Sequence, residues 1–313
     1  MDGNQYFGAV VNGGNKFSKG DFNMRKVLLA TTALVAVTGV TAANADISIS
    51  GNYEWEYTTN DAGTTWGDDG HINITAVNAA DNGTTWTAKS VITNSSDAGA
   101  QVNAEAAYIQ VEGDFGRIVF GDMDDSAASA MDGALGRNND IETQGGLADA
   151  DTAIGIGAAA DITYFSPSIS GFQIGFSKDL TDADNSANDG KTDIGVTYSM
   201  GGASVYYGTA DDDRSFGVKG SMAGFTVAVG NSSTSGTTNK ANDVAVKYTL
   251  ANGITIAAMS ANGTGADGLK DKASNVGISY ALVPGVKLNA ESGKLDENGT
   301  STNYSWIALN MSF

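Results

Sequence analysis

The chain of 313 residues has no cysteine, two prolines and a single histidine, and it carries only 17 Lys and Arg against 36 Asp and Glu. Without cysteine there is no disulfide framework and no thiolate metal or redox site. One histidine, His71, leaves a Ser-His-Asp arrangement resting entirely on that residue. A net charge of −19 and a pI near 4.1 argue against nucleic acid, because phosphate binding needs a basic surface. Such a chain is either well solvated or presents a field that draws cations.

Long apolar runs are also scarce. The one present follows Met24, where Arg25 and Lys26 precede an apolar stretch from Val27 to Val40 and a small-x-small signal at Ala43-Asn44-Ala45. This pattern predicts a secretory signal peptide over 24–45, cleaved after Ala45, with 1–23 as an over-extended or disordered leader. Residues 1–45 hold four basic residues (Lys16, Lys19, Arg25, Lys26) and two acidic ones (Asp2, Asp21), so Asp46–Phe313 is more acidic still. Nothing in that mature part offers the roughly 18 consecutive apolar residues a membrane helix needs. A mature chain that crosses a membrane must therefore do so as a closed barrel.

What the mature part has is alternation. Ile47, Ile49, Gly51, Tyr53, Trp55 and Tyr57 fall on one parity, and Ser48, Ser50, Asn52, Glu54 and Glu56 on the other. A period of two puts these sets on opposite faces of a strand. The pattern recurs through Val244, Val246, Tyr248 and Leu250, and through Val276, Ile278, Tyr280 and Leu282. It predicts strands at 46–58, 70–79, 83–93, 100–111, 115–122, 160–166, 171–178, 191–199, 203–210, 214–221, 224–232, 242–250, 254–261, 273–282, 285–294 and 302–313. Turns near 81, 113, 168, 201, 223, 252 and 284 are tight. Those at 60–69, 94–99, 122–159, 179–190, 210–213, 232–241, 262–272 and 295–301 are mostly longer and polar. Sixteen strands with short turns at one end and longer loops at the other form the pattern of an antiparallel transmembrane β-barrel. A soluble sandwich would want an apolar inner face, whereas here the second face carries Glu54, Glu56, Lys89, Lys247, Lys287 and Glu291.

Three stretches resemble the general diffusion porins of Gram-negative outer membranes. Ala107-Tyr108-Ile109-Gln110-Val111-Glu112-Gly113-Asp114-Phe115-Gly116-Arg117-Ile118-Val119-Phe120-Gly121 is similar to the hairpin before that family's third loop. Ile162-Thr163-Tyr164-Phe165-Ser166-Pro167, with Gly171-Phe172, is similar to the hairpin after it. The last strand, ending at Phe313, resembles the signal read by the outer-membrane insertion machinery. The resemblance implies a 16-stranded trimeric barrel in the outer membrane, with the third loop folded into the lumen and small hydrophilic solutes diffusing through. The family commonly sets an arginine cluster opposite that loop; here only Lys89 and Arg117 are inward candidates near the corresponding strands.

By this resemblance the segment 122–159 is the third loop, with a short helix around Ala127, Ala128, Ala130 and Leu135. It carries Asp122, Asp124, Asp125, Asp132, Asp140, Glu142, Asp149 and Asp151 against Arg137. Carboxylates in a narrow lumen raise local cation concentration. The expected selectivity residues are these eight together with Glu54, Glu56, Lys89 and Arg117, joined by Lys219 and Lys247. Asp122, Asp124 and Asp125 could alternatively hold a structural calcium; no other cofactor is expected. Residues 182–190 fail as a calcium loop, with Ser186 at a ligand position. Gly155-Ile156-Gly157 lacks the context of a nucleotide site. His71 is expected at the mouth, beside the 60–69 loop, and Glu54 and Glu56 in open water, so no catalytic residue is assigned. A substrate-specific channel and a non-conducting structural or adhesive barrel are the alternative readings.

Overall fold

A computed structural model describes residues 45–95, 101–123, 125–135, 160–180, 190–265, 268–297 and 299–313. The expected leader, the expected signal peptide up to residue 44 and most of the acidic segment, including Asp124, Asp140, Glu142, Asp149 and Asp151, lie outside them.

Alternation of side chains becomes a continuous antiparallel sheet. In chain order the strands are β1 (Asp46–Asn60), β2 (Gly63–Ala79), β3 (Thr85–Ser95), β4 (Gln101–Gly113), β5 (Gly116–Asp122), β6 (Ile162–Phe165), β7 (Phe172–Lys178) and β8 (Thr192–Met200). They continue as β9 (Ala203–Ala210), β10 (Asp213–Met222), β11 (Phe225–Thr234), β12 (Lys240–Thr249), β13 (Thr255–Thr264), β14 (Lys270–Val283), β15 (Val286–Glu297) and β16 (Thr300–Ser312). Each strand pairs with its sequence neighbours, and β1 pairs with β16 to close the barrel. Closure leaves no unpaired edge, as a lipid-facing sheet requires. The seam is finished by two backbone hydrogen bonds between Gly51 and Phe313, of 2.9 and 3.0 Å.

The two faces meet different surroundings. Ile49, Trp55, Ile72, Ile109, Phe120, Phe176, Val229, Ile256, Ile278 and Leu309 are all exposed on the outer register. Such an apolar belt is stable only against hydrocarbon. At the tight-turn end, Trp86, Phe172, Tyr198, Phe225 and Tyr280 form an aromatic girdle, in which Phe225 stacks on Tyr248 with ring centroids 4.2 Å apart.

Two sequence expectations change. Residues 60–69 are not a loop: β1 runs to Asn60, β2 starts at Gly63, and Asn60 Oδ1 accepts from the N–H groups of Ala62 and Gly63 to make the turn. Extended pairing continues through a polar stretch because both faces are in water there, so no apolar pattern is needed. Likewise β15 and β16 reach Glu297 and Thr300, shortening the last connection. The barrel is consequently uneven: β1 and β2 have 15 and 17 residues, while β6 and β7 have 4 and 7.

Candidate functional site in the barrel lumen

Between β5 and β6 the chain turns inward and forms helix α1 (Ala127–Leu135). Ser126 caps it: the Ser129 N–H donates to Ser126 Oγ at 3.2 Å, and the Ala130 N–H to Ser126 O at 2.9 Å. Asp125 adds a second local contact, accepting from Ser129 Oγ at 2.6 Å. Alanines at the first two helical positions suit both helix propensity and close packing.

The wall supplies the remaining partners. Ala127 N–H donates to Ser177 Oγ of β7 at 2.6 Å, and Ala128 N–H to Asp193 Oδ1 of β8 at 2.8 Å. The Tyr206 hydroxyl of β9, fully buried, donates to the Ala128 carbonyl at 2.8 Å. The Ser215 hydroxyl of β10 donates to Asp132 Oδ2 at 2.9 Å. The first-turn amides of a helix have no partner within the helix and carry partial positive charge. An aspartate and a serine on the inward register answer both demands. Space comes from Gly175 and Gly195, which are register partners. A Cβ at Gly175 would lie 2.8 Å from Ala127 Cβ, and one at Gly195 would lie 2.8 Å from Met131 Sδ and 3.1 Å from Ala128 Cα. No other residue lets the helix lie this close.

Of the expected selectivity residues, Arg117 places its guanidinium 4.1 Å from the Phe165 ring centroid. It lines a recess of about 580 Å³ with Glu112, Ala130, Met131 and Gln173. Glu56 Oε2 accepts from Trp306 Nε1 at 2.8 Å. Lys89 lies on β3, two strands from Arg117, in a second recess with His71, Glu105 and Tyr108. Lys219 and Lys247 follow the inward register of β10 and β12, opposite Ala228 and Ala257. Asp122 is exposed at the end of β5. Of Asp122, Asp124 and Asp125, Asp124 lies outside the described residues; among those described, no three His, Asp or Glu side chains gather as a metal site.

The structure corrects two placements. Glu54 is not in open water: it is only 6 % exposed, and Glu291 on the same side is 4 % exposed. Around Glu291 the cover is aromatic. Tyr304 donates its hydroxyl to Glu291 Oε1 at 2.6 Å, and Trp306 and Tyr304 are themselves buried among Ala257 and Ala308. His71 is not at a mouth either, because the loop expected beside it is the β1–β2 hairpin. It sits within β2, opposite Asn52 and Thr93, and faces the lumen.

Reasoning from sequence passed over Ser177, Asp193, Tyr206 and Glu105. The first three share the inward parity opposite Phe176, Ile194 and Tyr207, so a polar residue on that parity beside a glycine was the available signal. Glu105 left none, for a reason given below.

A family model described as Gram-negative porin matches residues 30–300. The chain belongs to the Gram-negative porin family. A mutant of Rh. blastica porin is similar at TM-score 0.70 and 17 % identity, covering 85 % of this chain and 100 % of its own. Salmonella typhi OmpF, in a complex with daunomycin, is similar at TM-score 0.72 and 12 % identity, covering 88 % and 99 %. A loop-deleted OmpT of Vibrio cholerae is similar at TM-score 0.66 and 16 % identity, covering 86 % and 99 %. Comparison with curated protein sequences finds no match. The porin is an outer-membrane channel protein whose lumen is a water-filled path for ions and small hydrophilic solutes, and the resemblance drawn from the two hairpins and the last strand holds.

Proposed function

We propose that this porin passes cations in preference to anions, by passive diffusion and without catalysis. The observation that carries the reading is an excess of carboxylates on the inward register. Glu54, Glu56, Asp193, Asp243, Glu291 and Glu105 stand there with Asp132 of α1, against Lys89, Arg117, Lys219, Lys247 and Lys287. Fixed charge of one sign inside low-dielectric walls concentrates counter-ions and excludes co-ions. The further acidic residues of the segment after α1 add to the same sign.

The working form is read as Asp46–Phe313, after removal of 24–45, inserted by the outer-membrane machinery through the strand ending at Phe313. Assembly as a homotrimer is supported by a related fold, Vibrio cholerae OmpT, solved in trimer form. Passive diffusion needs no cofactor; a structural calcium at Asp122, Asp124 and Asp125 would make unboiled gel mobility sensitive to a chelator. The deciding experiment is reconstitution in a planar bilayer under a salt gradient. A reversal potential of the sign for cation preference is expected; anion preference would overturn the reading.

A further inference from the structure

In β4 the ladder to β3 slips by one residue. Val91 pairs with Ala106 and Ile92 with Ala104, so Glu105 has no partner across the sheet. Strict alternation from the buried Ala106 would send Glu105 outward with Ala107 and Ile109, into hydrocarbon. The bulge turns it into the lumen instead, which is a recurrent use of an extra residue in a strand. Its Oε2, buried and itself without a hydrogen-bond partner, comes to 3.2 Å from Nε2 of His71. The other ring nitrogen, Nδ1, is buried without a hydrogen-bond partner and lies 3.9 Å from Asp69 Oδ2. A neutral imidazole has one N–H; only the imidazolium offers a donor to both sides.

We propose that His71 and Glu105 are selectivity-determining residues of the channel, and that a proton taken up by His71 weakens the preference for cations. The proposal rests on the cation-preferring reading and assigns part of it to one wall. Among the described residues, the charged and titratable groups around His71 are Asp69 on its own strand, Glu54 on β1, Lys89 on β3, and Glu105 and Tyr108 on β4, with Arg117 of β5 beyond Tyr108. Asn52, Asn73 and, from the connection after β5, Met123 complete a recess of about 380 Å³. With neutral His71 this patch holds three carboxylates against one ammonium. A proton on His71 adds a second positive charge, so negative charge on the wall falls when that proton is bound. One charge within about 7 Å of a passing ion changes its local concentration about two-fold even at the dielectric constant of water.

The test is the reversal potential of the full channel at pH 8, 7, 6 and 5.5, in wild type, His71→Gln and Glu105→Gln. The cation-to-anion permeability ratio of wild type is expected to fall about two-fold or more across this window. His71→Gln should hold the pH 8 ratio throughout. Glu105→Gln, a near-isosteric change that keeps the bulge, should lower the ratio already at pH 8. An equal pH response in wild type and His71→Gln overturns the proposal, because other groups would then carry it. Anion preference of wild type at pH 8 defeats the broader reading instead, and the difference between wild type and His71→Gln still reports on this one.

Discussion

The two sides of the lumen use the same alternation for different ends. Across β6–β10 the inward register is opened by glycine: Gly175, Gly195 and Gly208 lie in adjacent strands, flanked by Ser177, Asp193 and Ser215. That side holds helix α1, with Ser177, Asp193 and Tyr206 on its backbone and Ser215 on its Asp132 side chain. Across β14–β16 and β1–β4 the strands are longer, and the inward register carries Glu291, Tyr304, Trp306, Glu56, His71 and Lys89, whose partners are mostly one another. One half of the wall is a seat and the other is a charged surface. A residue's function in this lumen follows from which half it stands on more than from its type. Asp193 and Glu56 are both inward carboxylates, yet one holds a helix and the other a tryptophan.

The strongest way to break this division is to fill the seat. In Gly195→Leu, Met131 could move aside, but the backbone of Ala127 and Ala128 at 3.1 Å could not. Close-packed contacts of this kind do not stretch, so the helix is expected to move toward the barrel axis. Unitary conductance should drop markedly, while an unboiled gel still shows a folded barrel, since the strand ladder is untouched. Steady wild-type conductance would mean the helix does not narrow the path.

Asp193→Ala removes the anchor without adding bulk. The charge-assisted bond to Ala128 N–H is worth about 1.5–3 kcal/mol, and the amide would be left without its partner at the positive end of the helix. Mean conductance should stay near wild type, with flicker between levels appearing in single-channel records. Asp193→Asn keeps an acceptor and should restore most of the quiet. If both variants are as quiet as wild type, the helix is held by packing alone.

This distinction was only partly legible beforehand. All sixteen strands could be placed from alternation and turn residues, because each strand separates hydrocarbon from water and the outer face must be apolar throughout. Where both faces are wet, as at Gly63–Asp69, alternation vanishes and the strand reads as a loop. The helix at Ala127–Leu135 was visible as Ala127, Ala128, Ala130 and Leu135. Its docking was not, since Ser177 and Asp193 are ordinary polar residues until a helix from a distant connection lies on them. Glu105 shows the sharper limit: a bulge changes which face every preceding residue of the strand occupies, and nothing in Ala104-Glu105-Ala106 announces it.

The finest test sets one aromatic from each half against the other. Tyr206→Phe keeps the buried ring and loses the hydroxyl that donates to Ala128 O, a cost of about 1 kcal/mol confined to the helix seat. Trp306→Phe loses the N–H that donates to Glu56, on the half away from the β6–β10 seat on which α1 packs. Tyr206→Phe should therefore add a small amount of gating noise and leave ion preference unchanged. Trp306→Phe should do the reverse, altering the reversal potential slightly by freeing the Glu56 carboxylate while the records stay quiet. Noise from both, measured at matched conductance, would show that the two halves move together and that the wall cannot be divided as drawn.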